Sequence, residues 1–221
     1  MKKTTLIIAR HGNTFTKDQI PTRIGGKTDL PLIEEKKGLS IGKYLKDHNL
    51  LPNIIFAGPL LRTVQTAVLS IKGMELNEMP IIITELFREV DYGPDENKTE
   101  EQIQFRLGKG NLKKGKQIID NWNKNGIVPN GWLIDKDYLI KAWKTFATDK
   151  EKQYAGQKIL IITSNGIARF SPYLTASFDD FASKNEIKIN TGALCIFEKA
   201  ESDKHWNCLS WNINPASEIF S

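Results

Sequence analysis

Apolar residues in this chain gather in short unbroken runs, separated by stretches with helical spacing. Leu6-Ile7-Ile8-Ala9, Ile54-Ile55-Phe56-Ala57, Ile81-Ile82-Ile83 and Lys158-Ile159-Leu160-Ile161-Ile162-Thr163 have the continuity of strands buried on both faces of a parallel sheet. Between the first two, Leu39, Ile41 and Leu45 recur within residues 32–51 and predict a surface helix stopped by Pro52. Leu61, Val64, Val68 and Ile71 lie three and four apart and predict one apolar helical stripe. Thr99 stands where a cap would open a helix at Glu100. Residues 111–157 carry Trp122, Trp132, Trp143 and Phe146 between scattered glycines and predict helical insertions over the sheet, with these aromatics in local core. A helix is expected from Ile167, with Phe170, Leu174 and Phe178 on one face and Pro172 tolerated in its first turn. In the tail, Ala193–Phe197 and Trp206–Leu209 read as edge strands joined by a polar turn at 199–204. Strands alternating with helices predict a three-layer α/β/α fold, its mostly parallel, doubly wound sheet carrying an antiparallel edge strand. With no internal repeat, low-complexity linker or break in composition, the expectation is a single domain over 1–221 with a helical insertion at about 94–157.

Two of the runs end alike. Leu6–Ala9 breaks into Arg10-His11-Gly12, and Lys158–Thr163 breaks into Ser164-Asn165-Gly166. Ligands of open α/β sheets bind beyond the carboxyl ends of strands. Neighbouring strands would therefore bring Arg10, His11, Ser164 and Asn165 to one pocket. Arg10 offers a planar fork of donors to phosphate or carboxylate, His11 can act as base, nucleophile or ligand, and Gly12 lets an anion come close to the backbone. Gly25-Gly26 marks a turn or a close backbone approach. Arg62 falls off the apolar stripe of its helix. It reads either as a solvated surface charge or as a first-turn cation deepening an anion site at the helix start.

Composition narrows the function classes. Hydrophobic residues at 40% and charged ones at 26% are those of an ordinary globular protein. The net charge of +5 is spread over scattered lysines without interleaved aromatics, which argues against nucleic acid and for attraction of a phosphorylated anion. Cys195 and Cys208 make neither a disulfide framework nor a metal-ligand spacing. The apolar run after Lys2-Lys3 is too short for a signal peptide and no run reaches a membrane span, so the expected location is the cytoplasm, with no membrane partner.

The order and spacing of five pieces resemble the histidine phosphatase superfamily, which includes the cofactor-dependent phosphoglycerate mutases. They are Ile8-Ala9-Arg10-His11-Gly12 with Thr14, the stretch Arg23–Leu32 around Gly25-Gly26, Leu61–Ala67 with Arg62, Leu86–Gly93 with Glu89, and Ile161–Gly166. The resemblance implies a phosphoglycerate mutase-like fold and a phosphomonoesterase acting through a phosphohistidine on His11. It implies Arg10 and Arg62 as clamps on the phosphoryl oxygens. Glu89 becomes the proton donor and acceptor, a role that partial burial would assist. Thr14, Lys17, Gly26, Ser164 and Gly166 become candidate phosphate or substrate contacts beside the catalytic set His11, Glu89, Arg10, Arg62 and Asn165. No cofactor and no metal is implied; the expected partner is a phosphorylated small molecule or a phosphoprotein, and the assembly a monomer or homodimer.

Three departures from that family's pattern matter. Asn165 stands where the family has a second histidine; an amide donates a hydrogen bond but never carries charge. Lys17 stands where many members have Asn, and reads as a point charge or a solvated lysine. Asn130-Gly131-Trp132 replaces a stretch that shapes substrate choice. The resemblance thus leaves a phosphatase, a phosphoglycerate-type mutase and a catalytically weakened phospholigand binder as alternatives. Mutases grip a substrate carboxylate with paired arginines, and Lys109–Lys114 offers only lysines. Glu89 has a plainer reading too, as a loop carboxylate paired with Arg88.

Overall fold

A computed structural model describes residues 2–218. Strands β1 (Lys3–Arg10), β2 (Ile54–Ala57), β3 (Ile81–Ile83), β4 (Lys158–Thr163), β5 (Leu194–Ala200) and β6 (Asn207–Ile213) form one sheet in the order β3-β2-β4-β1-β5-β6. β3, β2, β4 and β1 are parallel; β5 runs antiparallel to β1, and β6 antiparallel to β5. The sheet is thus mostly parallel with an antiparallel flank, as the alternation of runs and helices predicts. Ala9, Ile162, Ala57 and Ile83 stand in register across the four parallel strands. The segments beyond them therefore leave the sheet along one edge, and that edge carries the site.

Period-two alternation divides each strand between two cores. Ile7, Ala9, Ile55, Leu160 and Ile162 pack towards helices α1 (Lys36–Asp47) and α2 (Leu61–Gly73). Leu6, Ile8, Phe56, Ile159 and Ile161 face the other side. There α3 (Glu100–Leu107), α4 (Leu112–Asn125) and α5 (Lys136–Gln153) come after β3 and supply Trp122, Trp143 and Phe146. The aromatics of the 111–157 stretch are buried, Trp122 fully and Trp132 to 5% exposure. Thr99 caps α3 reciprocally with Gln102.

Four expectations change. The helix expected over 32–51 occupies only Lys36–Asp47. The segment after β4 is not one helix: α6 (Asn165–Ala168) ends, Pro172 opens a 3-10 turn at Ser171–Leu174, and α7 (Phe178–Lys184) starts afresh. Proline has no N–H to continue the ladder and its ring crowds the carbonyl four residues back. In the tail only β6 is an edge, since β5 lies between it and β1; α8 (Pro215–Glu218) comes after it.

The fourth change is on α2, whose apolar stripe turns only partly inward, with Ile71 packed on the core. Leu61 and Val68 are 47% and 53% exposed, while Arg62, Thr63, Thr66, Ala67 and Ser70 are buried. The cause is the seam with α1, where backbone meets backbone. A Cβ on Gly42 would lie 2.0 Å from the Ser70 carbonyl oxygen, and one on Gly73 2.2 Å from that of Leu39. The buried hydroxyls find nearby acceptors: Thr63 Oγ1 donates to Gly58 O (2.7 Å), Thr66 Oγ1 to Arg62 O (2.7 Å) and Ser70 Oγ to Thr66 O (2.8 Å).

Candidate active site

The tip of β1 delivers His11, 3% exposed, with its backbone N–H on Thr163 O at 3.0 Å. Its Nδ1 lies 2.8 Å from Gly12 O. A carbonyl only accepts, so Nδ1 carries the proton and Nε2 keeps its lone pair. Burial, then the charges of Arg10 and Arg62, hold the His11 pKa well below 6.5, so the ring is neutral. The Gly12 N–H donates to Thr66 Oγ1 (3.1 Å), which ties this turn to the buried polar face of α2.

The two arginines are held by backbone carbonyls rather than carboxylates. Arg10 Nη1 donates to Ile189 O at 2.6 Å. Arg62, fully buried, donates from Nη1 to Thr28 O (2.8 Å) and from Nη2 to Gly25 O (3.1 Å). Of the two readings open for Arg62 at the sequence level, the solvated one is excluded. The Nε of each arginine is buried without a protein partner. Burial lowers the pKa of both, and the charge of Glu89 acts on each in the opposite sense. The 25–28 loop reaches Arg62 because it presses on the chain beside Glu89: Gly26 N–H donates to Val90 O (2.9 Å), and a Cβ on Gly26 would lie 2.5 Å from Glu89 O.

Glu89 is 7% exposed. Its Oε1 accepts the Val90 N–H (2.9 Å), and its Oε2 accepts the Gly166 N–H (3.2 Å) and the Tyr92 hydroxyl (3.4 Å). Gly166 is required here, since a Cβ would stand 2.2 Å from Glu89 Oε1. Arg88 pairs instead with Glu85 at 2.6 Å, which corrects the reading of an Arg88–Glu89 pair. Burial first, then the charge of Glu89, raises the Tyr92 pKa, so its hydroxyl stays a donor.

β4 and β1 are neighbours, with Arg10 opposite Thr163, so their tips do meet. Asn165 opens α6 and its Oδ1 accepts the Ile189 N–H at 2.9 Å, leaving Nδ2 as the free end. One residue thus holds both tips, the Ile189 N–H on Asn165 and the Ile189 carbonyl on Arg10. Ser164 is fully buried and its hydroxyl has no partner.

These groups border a cleft of about 870 Å³. Arg10, His11, Glu89 and Asn165 line it, as do Thr14 and Lys17. Gly26, Ser164 and Gly166 lie outside that lining, and the two glycines meet the backbone and carboxylate of Glu89. Arg62 lies behind the wall, its charge acting on His11. Tyr92, Arg23, Lys37 and Lys188 also line the cleft; Arg23 and Tyr92 fall inside two of the resembling pieces without being singled out there, and Lys37 and Lys188 fall in none. Arg23 pairs with Glu100 (2.6 Å) and lies over the rings of Tyr92 and Trp132 at 5.3 and 4.8 Å. Arg169 carries no sequence signal either. Fully buried, it donates from Nε to Asn165 O (3.2 Å) and from Nη1 to Trp122 O (2.7 Å), and burial pulls its pKa down to about 9. Among the described residues no cluster of His, Cys, Asp and Glu is placed to hold a metal, and no helix is long and apolar enough to cross a membrane.

Known proteins share this fold. The structure of a phosphoglycerate mutase from Bacillus anthracis superposes with a TM-score of 0.81 at 16% identity, over 100% of this chain and 98% of that one. The mycobacterial glucosyl-3-phosphoglycerate phosphatase superposes with a TM-score of 0.73 at 15% identity, over 96% and 99%. In sequence, the 2,3-bisphosphoglycerate-dependent phosphoglycerate mutase of Bifidobacterium longum is 23% identical over 181 residues, a match spanning 79% of this chain and 66% of the length of that enzyme. The profile of the histidine phosphatase superfamily (branch 1) matches residues 6–214. The chain belongs to the histidine phosphatase superfamily.

Proposed function

We propose that this protein is a phosphomonoesterase that transfers a phosphoryl group to His11 and then to water. The observation that carries the reading is the state of His11: Nδ1–H bound to Gly12 O, Nε2 free, the ring neutral beside two arginines and facing a cleft. Nε2 forms the bond to phosphorus as the ester P–O bond breaks. The Gly12 carbonyl supports the positive charge that builds on the ring. Arg10, on the cleft lining, offsets charge on the non-bridging oxygens through N–H groups its backbone acceptor leaves free, and Arg62 adds its charge from behind the wall. Protonated Glu89 gives its proton to the departing oxygen; as carboxylate it takes one from water, which displaces the imidazole and releases phosphate. The Asn165 Nδ2 donates to the same oxygens without charge, which weakens the site relative to one with a cation there. Thr14 and Lys17 extend the contacts to substrate, and a cleft of about 870 Å³ suits a phosphorylated metabolite.

The name of the Bifidobacterium relative supports a second reading, a phosphoglycerate mutase. The lysines of 109–114 lie outside the cleft lining, which favours release to water over retention of a carboxylate-bearing intermediate. Phosphate release from a panel of phosphorylated metabolites, beside incubation with 3-phosphoglycerate and 2,3-bisphosphoglycerate, decides between them. Free phosphate with a phosphohistidine on His11 is expected; isomer exchange without free phosphate would favour the mutase.

A further inference from the structure

Lys37 is a cation that the mechanism above does not use. It sits in the first turn of α1, and its stem is laid along the backbone through a gap left by glycines. A Cβ on Gly192 would stand 2.7, 2.8 and 2.9 Å from Lys37 Cβ, Cδ and Cγ, and one on Gly12 would stand 3.5 Å from Lys37 Cβ. Gly192 takes a left-handed φ of +75° at this place. Its N–H lies 3.1 Å from Arg10 O and 3.0 Å from His11 O, so the turn that the stem crosses is bonded to the tip of β1.

The ammonium is held equally firmly. Nζ donates to Asn13 Oδ1 (3.0 Å) and Thr191 Oγ1 (2.5 Å), Thr191 Oγ1 donates to Asn13 Oδ1 (2.7 Å), and Asn13 Nδ2 donates to Glu34 Oε1 (2.6 Å). Three N–H groups leave an ammonium, and two have acceptors here. Asn13 stands between Lys37 and Glu34, so no carboxylate touches the half-buried charge. A partly desolvated cation without a counter-ion against it is costly unless a ligand supplies one. Lys37 lines the cleft with Arg10 and His11. Burial, opposed by Glu34 and reinforced by Arg10, lowers its pKa, and its own charge acts on His11.

We propose that Lys37 binds the phosphoryl oxygens beside His11, giving the site a fixed positive charge that the neutral Asn165 amide cannot. The kinetic side of this rests on the hydrolase reading above; the anion-binding side does not. The test pairs calorimetric binding of inorganic phosphate with phosphate release from p-nitrophenyl phosphate, on the full chain and on Lys37→Met, Lys37→Arg and Lys37→Gln. Loss of one charge-assisted contact predicts that Lys37→Met weakens phosphate binding and kcat/KM by about 10- to 100-fold. Lys37→Arg should recover much of that loss, and in an Asn165→His background the penalty for Lys37→Met should shrink several-fold. Lys37→Gln, which can still donate to Asn13 and Thr191, should behave like Lys37→Met; it serves as the neutral variant if Lys37→Met does not fold. Phosphate binding that ignores residue 37, or equal losses for Arg and Met, overturns the proposal while leaving the hydrolase reading intact. Lys37-dependent binding in a protein that turns over no ester does the reverse.

Discussion

The tips of β1 and β4 lie side by side and break their apolar runs alike, yet they do different work. After β1 the chain continues as a loop, and both Arg10 and His11 present their side chains to the cleft. After β4 it turns at once into α6, which buries Ser164, aims Asn165 at the cleft and frees the Gly166 N–H. A first-turn amide has no partner inside its own helix, and this one goes to Glu89. In the proposed reaction, one tip carries the attacking nitrogen and the other orients the proton carrier. Two strand ends with the same polar-polar-glycine pattern are thus sorted by whether a loop or a helix continues the chain.

The largest expected effect breaks the comparison at its reactive end. His11→Ala should lower phosphate release by on the order of 10⁴–10⁶-fold while phosphate binding survives, as found for removal of nucleophiles elsewhere; a steady-state rate beside a binding isotherm checks it. Making the two tips alike is the next test. Asn165→His adds a donor that can carry charge and should raise turnover, by up to about 10²-fold on the scale of one preorganised donor. No rise would mean that the pocket is adapted to an amide held by Ile189.

A smaller effect concerns pH. The proposed attack needs the neutral His11 ring, whose pKa lies well below 6.5, so kcat/KM should hold as pH falls through 6.5 and decay only at lower pH. The same depression means that the unfolded chain takes up this proton first. Stability should therefore be complete above about 6.5 and decline below it, and thermal midpoints of His11→Ala should lose that part of the slope. The smallest effect lies on the outward part of the α2 stripe. Val68→Thr should change stability by no more than about 0.5 kcal/mol in a denaturant titration, because Val68 is 53% exposed.

β1, β2 and β4 were legible because burial on both faces leaves no polar interruption, as in Lys158–Thr163, whereas Ile82 and Ile83 of β3 stand 40% and 47% exposed at the sheet edge; the polar breaks at His11 and Asn165 marked the edge where the candidate site lies. Arg62 was not, because what buries it is a pair of carbonyls from Gly25 and Thr28, over thirty residues away in the chain. The α2 stripe misled for a related reason: spacing reports which residues share a face, while the glycines of the seam decide which face turns inward. Lys37 reads as one more helix-surface lysine until Gly192 and Thr191 return from the far end of the chain to meet it. Ile189, whose backbone joins the two tips, has no local signal at all.

The seam between α1 and α2 has one more consequence. Lys37 rides on one helix and Arg62 on the other, and Gly42 and Gly73 let the two backbones touch. The interval between the two backbones that carry these charges is thus set by the contact of main chains, while Asn13 and Thr191 on one side and the Gly25 and Thr28 carbonyls on the other hold the charged ends. A single methyl at Gly42 or Gly73 would press the two helices apart where they touch, without altering either charged residue.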